Sequence, residues 1–181
     1  YSHSIDALHQ SVLITTHADG GTRVETRFRD GNLASITGTA TFPVRYEYGV
    51  TNDDGLARPS TREIKLDAGG QDTLEWEQSL IDHAGRSYKT VYPGAASPHR
   101  QSYYNSKGQL WKERDPDGVI TLFQYNPNGE REVTCLDSNR NDRIDLDGQD
   151  RITQSITDIT EAHGTFVRRT RIYAWETDGD P

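Results

Sequence analysis

The sequence has no methionine and only one cysteine, Cys135, in 181 residues. A single cysteine excludes an internal disulfide framework and lacks the paired spacing of a zinc site. No segment approaches the ~18 consecutive apolar residues that a membrane-spanning helix needs, so we expect no membrane insertion by this chain. Because the chain begins at Tyr1 and lacks methionine, we expect it to be part of a longer translation product, with any signal peptide upstream.

Positive charge is also scarce, with 20 Lys and Arg against 28 Asp and Glu and a net charge of −8. A protein that binds nucleic-acid backbones needs clustered cations, so we expect no nucleic-acid partner. Hydrophobic residues make up only 32% of the chain, a composition that borders on disorder. The 9 Tyr, 4 Phe and 3 Trp residues argue for folding, because aromatic side chains suit the half-buried surface of a β-sheet.

Motifs of known catalytic chemistry are missing as well. The six histidines have no metal-ligand spacing, no G-x-S-x-G element is present, and Ser97 and His99 belong to no triad pattern. Cys135 lies just before an acidic stretch, whose negative charge is expected to raise the pKa of the thiol and weaken it as a nucleophile. We therefore expect a protein that is not an enzyme.

Turn signals are abundant, and they divide the chain into short segments. Asp or Asn followed by Gly tolerates the positive φ angles of a type I′ hairpin turn. Apolar and polar residues alternate between the breaks, as over 119–125, and helical spacing is nearly absent, with 4–13 left open. The fold class predicted is all-β, built from stacked antiparallel hairpins. The turn pairs are Asp19-Gly20, Asp30-Gly31, Asp54-Gly55, Asp117-Gly118, Asp147-Gly148, Asp178-Gly179 and Asn128-Gly129. The predicted strands are Val24–Arg29, Leu33–Thr37, Val44–Val50, Arg62–Leu66, Thr73–Gln78, Arg86–Tyr92, Gln109–Arg114, Val119–Tyr125, Arg131–Leu136, Arg151–Ile159 and Thr165–Tyr173.

One turn pattern repeats along the chain. The sequence Tyr-Asn-x-x-Gly at 104–108 recurs at 125–129, and Asp-x-x-Gly-Arg at 82–86 has the same spacing. In such a unit the Asn or Asp side chain caps the turn, Gly takes the left-handed conformation, and Tyr covers the neighbouring hairpin. A single hairpin of ~20 residues cannot bury its own face, so we expect the units to stack.

Residues 82–86 (DHAGR), 104–110 (YNSKGQL), 115–118 (DPDG) and 125–129 (YNPNG) resemble the YD (tyrosine-aspartate) repeats of RHS proteins. The resemblance covers about residues 76–136, with weaker units at 28–48 and 166–181. Asn105 and Asn126 replace the usual Asp, Arg131 lies where a copy would have Leu, and 50–70 matches no unit well.

The resemblance implies a segment of an RHS-type β-hairpin solenoid or shell, secreted or at the cell surface, as in bacterial toxins and teneurins. Such repeats are not catalytic, and they enclose or present another domain. Their partners would be other repeats or an enclosed domain of the same polypeptide. We divide the chain into divergent hairpin units (1–75), YD-like repeats (76–136), an acidic loop (137–150) and a further hairpin unit (151–181).

The acidic loop follows the start of a calcium-binding loop, with oxygen-bearing side chains at relative positions 1, 3, 5 and 9. Position 6, usually Gly, is Asp142, which tolerates the left-handed conformation, and position 12, usually Glu, is Gly148. The alternative is a solvated connector held by Asx turns that binds no metal. The candidate Ca²⁺ ligands are Asp137, Asn139, Asn141, Arg143 through its carbonyl, Asp145, Asp147 and Asp150.

Three further features have a structural interpretation and a functional alternative. We expect Asp115–Gly118 to be a turn rather than a self-cleaving Asp-Pro motif. Alternation places Arg169 and Arg171 on one strand face and Arg168 on the other, for pairing with acidic neighbours. The residues Tyr103, Tyr104, Trp111 and Trp76 are expected to pack in the sheet. If they stack on sugars instead, the chain is a surface adhesion module that binds a cell-surface glycan or protein, and glycan binding would disappear in Trp111→Ala.

Overall fold

The computed structural model describes residues 1–175, which form fourteen antiparallel β-strands and no helix. The predicted all-β hairpin architecture is therefore confirmed. Because these residues contain no helix, none of them forms a helix able to cross a membrane. The chain divides into two compact units, residues 1–98 and residues from 99 onward.

The first unit contains eight strands whose order in the sheet follows their order in the chain. Each strand pairs antiparallel with its sequence neighbours. The strands are β1 (Ser2–Ile5), β2 (Ser11–Thr16), β3 (Thr22–Arg27), β4 (Leu33–Thr37), β5 (Val44–Asp53), β6 (Leu56–Leu66), β7 (Asp72–Ile81) and β8 (Ser87–Val91).

The second unit repeats this arrangement with six strands, again in chain order. Short turns connect them except between the fourth and fifth, where the acidic loop lies. The strands are β9 (His99–Tyr104), β10 (Leu110–Arg114), β11 (Ile120–Tyr125), β12 (Arg131–Asp137), β13 (Arg151–Ala162) and β14 (Thr165–Trp175).

Eight turns within residues 1–175 have the same five-residue hydrogen-bonding pattern. The first residue donates its N–H to the carbonyl of the fifth, and the fourth donates its N–H back to the carbonyl of the first, at 2.8–3.0 Å. The fourth residue is in the left-handed region, with φ of 60–87°, and is Gly in every case but His9. The eight turns begin at Asp6, His17, Phe28, Asp67, Asp82, Asn105, Asp115 and Asn126.

The predicted side-chain caps and tyrosine contacts are present. In the six turns that begin with Asp or Asn, its Oδ1 accepts the N–H of the fifth residue at 2.8–3.0 Å. Tyr125 Oη donates to the carbonyl of Leu110 at 2.8 Å, and Tyr48 Oη donates to that of Leu33 at 2.9 Å. In both cases the tyrosine reaches back to the hairpin that precedes it.

The type I′ prediction is correct for one Asp-Gly pair and wrong for others. Both residues of Asp54-Gly55 have positive φ, as do those of His163-Gly164. In the five-residue turns only the fourth residue has positive φ, because a type I turn precedes it, and Gly148 does not have positive φ. The pair Asp178-Gly179 lies outside the described residues.

Sequence alternation missed three strands, β1, β2 and β9. Residues 4–13, left open above, contain the end of β1 and the start of β2. Strands β1 and β9 contain Ser, His, Gln and Arg in place of a clear apolar alternation, so their pairing depends on neighbouring strands rather than on their own pattern. Strands β5 and β6 also extend further than predicted, up to the Asp54-Gly55 turn.

Buried apolar residues occur in both units. Ile64 and Leu80 are the most buried in the first unit. In the second unit Leu122, Val133, Cys135 and Ile152 form one cluster. Trp111, Ile120, Ile144 and Trp175 pack against this cluster, which places the base of the acidic loop directly on the core.

Candidate functional site

The acidic loop connects β12 to β13 and is held at three points. Cys135 is paired with Ile152 and Leu136 with Arg151 at its base. Ile144, in the middle of the loop, packs against the core cluster. The loop is therefore folded back onto the sheet, which fixes where its oxygen-bearing side chains lie.

Asp137 organises the first half of the loop. Its carboxylate is buried, with 2% exposure, and accepts backbone N–H groups from Asn141 at 3.2 Å and Asp142 at 2.9 Å. Asp142 has φ of 61°, which confirms that it can replace the usual Gly in the left-handed conformation. Lys112 Nζ lies 2.7 Å from the Asp142 carboxylate and holds the loop against β10.

Asp150 organises the second half and is equally buried, with 2% exposure. Its carboxylate accepts the N–H of Ser138 at 3.0 Å, the N–H of Asp145 at 3.1 Å and the thiol of Cys135 at 3.5 Å. Burial, followed by the neighbouring Asp150 carboxylate, raises the pKa of the Cys135 thiol to about 12. The direction agrees with the prediction, although burial rather than the acidic neighbours is its main cause.

Asp145 is the point at which two other predicted ligands, Asn139 and Asn141, meet. Its Oδ2 accepts the Nδ2 groups of Asn139 at 3.1 Å and Asn141 at 2.5 Å. Hydrogen bonds donated first by Asn141 and then by Asn139 lower the pKa of the Asp145 carboxyl. The side-chain oxygen Oδ1 of Asn139 accepts the backbone N–H of Asn141 at 3.1 Å. The side-chain Oδ1 of Asn141 accepts the backbone N–H of Arg143 at 2.8 Å.

The structure therefore brings together the side chains of three of the seven predicted ligands, Asn139, Asn141 and Asp145, while the Asp137 carboxylate accepts backbone N–H groups. Asp147 is exposed and makes no hydrogen bond within the described residues. The Asp150 carboxylate accepts backbone N–H groups from Ser138 and Asp145. Among residues 1–175 no three His, Cys, Asp or Glu side chains are grouped to hold a metal. A metal here would depend on amide and backbone oxygens as well as two carboxylates, a hard oxygen donor set that suits Ca²⁺.

The structural interpretations of three other predicted features are confirmed. Asp115–Gly118 is one of the five-residue turns. Arg169 and Arg171 both bind the Asp158 carboxylate, at 2.7 and 2.8 Å. Trp111 packs against the core and lies 6.3 Å from the Tyr103 ring.

Sequence reasoning missed a polar cluster on the β5–β8 face. Asp53 accepts hydrogen bonds from Tyr88 Oη and from Lys89 Nζ, and Arg58 lies over the Tyr88 ring at 5.3 Å. Burial is the main cause, and the hydrogen bond to the Asp53 carboxylate the second, of a rise in the pKa of Tyr88 to about 12. Asp53 is 35 residues from Tyr88 in the chain, so no local spacing could have indicated this contact.

No protein-family model matches the chain, and no curated protein is similar to it in sequence. Function must therefore be inferred from the residues themselves. The two features that carry the most information are the repeated capped turns and the acidic loop.

Proposed function

We propose that this chain is a non-catalytic structural segment of a large secreted or cell-surface protein of the RHS type. In that protein it scaffolds or encloses another domain of the same polypeptide. The observation that carries the proposal is the five-residue turn with an Asp or Asn cap, which occurs in both units. The Tyr125–Leu110 hydrogen bond adds the tyrosine that a YD-type unit requires.

The physical logic of these turns favours a scaffold. Each cap satisfies a backbone N–H at the end of a hairpin, so consecutive hairpins stack without long loops. Strands that pair only with their sequence neighbours build an extended sheet whose size grows with the number of units. Such a sheet presents a broad surface rather than a pocket, and a broad surface suits enclosure of another domain better than catalysis.

The test uses the parent polypeptide and limited proteolysis with mass-spectrometric mapping. Leu80→Asp places a charge at a site that is 2% exposed, whereas Leu74→Asp changes a residue of the same strand that is 90% exposed. We expect the enclosed domain to resist protease in the natural protein and in Leu74→Asp, and to be cleaved in Leu80→Asp. The same cleavage map in all three proteins, with Leu80→Asp shown by circular dichroism to be disrupted, would contradict enclosure by this segment.

Calcium binding by the acidic loop is a second proposal, and it rests on the convergence at Asp145. Two amide side chains already meet this carboxylate, and rotation of either amide would turn its oxygen inward. Asp137 supplies the other carboxylate, and its bonds to the N–H groups of Asn141 and Asp142 shape the loop around it. Bound Ca²⁺ would supply a cross-link that stiffens the connection between β12 and β13.

Thermal unfolding in millimolar Ca²⁺ and in EDTA tests this proposal. With a dissociation constant on the order of 10⁻⁴ M, as in extracellular modules, Ca²⁺ should stabilise the fold by about 1–2 kcal/mol and raise Tm by several degrees. We expect the rise in the natural protein and in the exposed control Asp147→Ala, but not in Asp145→Ala. Asp137→Ala is a poorer choice, because that carboxylate also caps the backbone.

The calcium proposal would be overturned if Ca²⁺ failed to raise Tm in all three proteins. The loop would then be a connector held by its own hydrogen bonds, and the structural role of the turns would be unaffected. A rise that persists in Asp145→Ala would place the cation elsewhere in the chain.

A further inference from the structure

One asparagine of the chain differs from all the others in its hydrogen bonding. Asn128 is exposed, and its side chain makes no hydrogen bond within residues 1–175. The amide of Asn128 is therefore free to rotate toward its own backbone. The other six asparagines have their side chains held in hydrogen bonds, and they are Asn32, Asn52, Asn105, Asn126, Asn139 and Asn141.

The residue that follows Asn128 also sets it apart. Gly129 makes this the one Asn-Gly pair in the sequence. Because glycine has no Cβ, its backbone nitrogen is the least shielded nucleophile that can follow an asparagine. Asn126, two residues earlier, precedes Pro127, whose nitrogen carries no hydrogen. Asn128 thus combines a free amide with an unhindered backbone nitrogen next to it.

The turn between β11 and β12 controls whether these two groups meet. Asn128 and Gly129 are the third and fourth residues of the five-residue turn that begins at Asn126. The Gly129 N–H donates to the Asn126 carbonyl at 2.9 Å, and the Asn126 side chain caps the N–H of Glu130 at 3.0 Å. Attack by the Gly129 nitrogen therefore requires the turn to open. An exposed turn opens at a much lower free energy than the core of a domain.

We propose that Asn128 is a site of spontaneous deamidation, and that the turn accommodates one of its two products but not the other. When the turn opens, the Gly129 nitrogen bonds to Asn128 Cγ and gives up its proton, the Cγ–Nδ2 bond breaks, and ammonia leaves. Water then opens the five-membered ring. Cleavage of the Cγ–N bond leaves an aspartate at position 128, and cleavage of the backbone C–N bond leaves an isoaspartate.

Other turns of the chain show that the aspartate product fits. The third residue is already aspartate in three of the five-residue turns, as Asp19, Asp30 and Asp117. Asp19 accepts the N–H of the fifth residue of its turn at 2.9 Å, and Asp30 does so at 3.0 Å. An aspartate at position 128 would have the same relation to the N–H of Glu130, so the hairpin keeps its hydrogen-bonding pattern.

The isoaspartate product does not fit the same pattern. Its backbone passes through Cβ and Cγ, which adds a methylene group between the first and fourth residues of the turn. The hydrogen bond from Gly129 to Asn126 spans this segment, so the longer backbone breaks its geometry. Strand β12 begins two residues later and carries Val133 and Cys135 of the core cluster. We therefore expect this product to destabilise the second unit.

Peptide mapping by mass spectrometry tests the site. In the whole chain at neutral pH and physiological temperature, Asn128 should convert about tenfold or more faster than any other asparagine, a barrier lower by about 1.4 kcal/mol. Asn126→Ala removes the cap and should speed conversion about fivefold, because one hydrogen bond favours the closed turn by about 1 kcal/mol. Asp67→Ala, the same loss of a cap in the first unit, should leave the rate unchanged.

Two results would overturn this part of the proposal. One is faster conversion of another asparagine, and the other is an intact Asn128 in the folded chain after the urea-unfolded chain has converted. An unchanged rate in Asn126→Ala would show that opening of the turn does not control the reaction.

Thermal unfolding of the two separated products tests the second part. An isoaspartate-specific methyltransferase identifies the isoaspartate form, and Asn128→Asp supplies the aspartate form directly. We expect Asn128→Asp to melt within about 1 °C of the natural protein and the isoaspartate form to melt about 5 °C lower. Equal melting temperatures for the two products would overturn the claim that the turn accommodates only one of them.

Discussion

Leu80→Ala should lower the free energy of unfolding of the first unit by about 3.5 kcal/mol, the middle of the range for a large aliphatic residue removed from a core. Leu80 is 2% exposed and lies opposite Ser60 on β6 and Lys89 on β8. The first unit has few buried apolar residues, so truncation of Leu80 removes a large share of its buried apolar surface.

Leu74→Ala is the matched control for this prediction. Leu74 lies in the same strand but is 90% exposed. We expect its replacement to change the unfolding free energy by less than about 0.5 kcal/mol. Urea unfolding followed by tryptophan fluorescence measures both, with an unchanged m value as evidence that only stability has changed. Equal losses in the two variants would show that Leu80 is not part of a packed core.

Asp150→Ala should destabilise the second unit by a similar amount, about 3 kcal/mol. The Asp150 carboxylate accepts two backbone N–H groups and the Cys135 thiol in a site with 2% exposure. Its removal leaves the N–H groups of Ser138 and Asp145 without acceptors, and unpaired polar groups away from water carry the full desolvation cost. The measurement is thermal unfolding in EDTA, so that any bound cation makes no contribution.

Asp147→Ala is the control, since Asp147 is exposed and makes no hydrogen bond in residues 1–175. Hydrogen exchange adds a local readout. Exchange of the Ser138 and Asp145 amides should accelerate in Asp150→Ala and stay unchanged in Asp147→Ala. If Asp150→Ala and Asp147→Ala were equally stable, the assignment of Asp150 to the backbone rather than to the solvent face of the loop would be incorrect.

The turns were predictable because their chemistry is local. The spacing Asp-x-x-Gly or Asn-x-x-Gly specifies both a side-chain acceptor and a residue that tolerates positive φ, and both lie within five residues. Alternation of apolar and polar residues located β10, β11 and β12. It missed β1, β2 and β9, and of these β1 and β9 are polar strands that acquire their conformation from the strands beside them.

The candidate site was only partly predictable, for a different reason. Ligand spacing identified Asn139, Asn141 and Asp145, whose side chains do meet, and Asp137, whose carboxylate instead accepts backbone N–H groups. It could not reveal that Asp150 turns toward the core, because that orientation depends on the position of Cys135 across the β12–β13 pair. Likewise, the contact between Asp53 and Tyr88 results from the length of the β5–β6 hairpin, which no single motif encodes.

The strict match between strand order and chain order has a consequence for biogenesis. Within each unit every strand pairs with the strand made just before it, so no segment must wait for a distant partner to be synthesised or translocated. Short-range pairing of this kind lowers the entropic cost of closing loops and favours rapid folding. The chain can therefore fold one hairpin at a time as it leaves a ribosome or a secretion pore, and each completed hairpin offers its last strand as the template for the next.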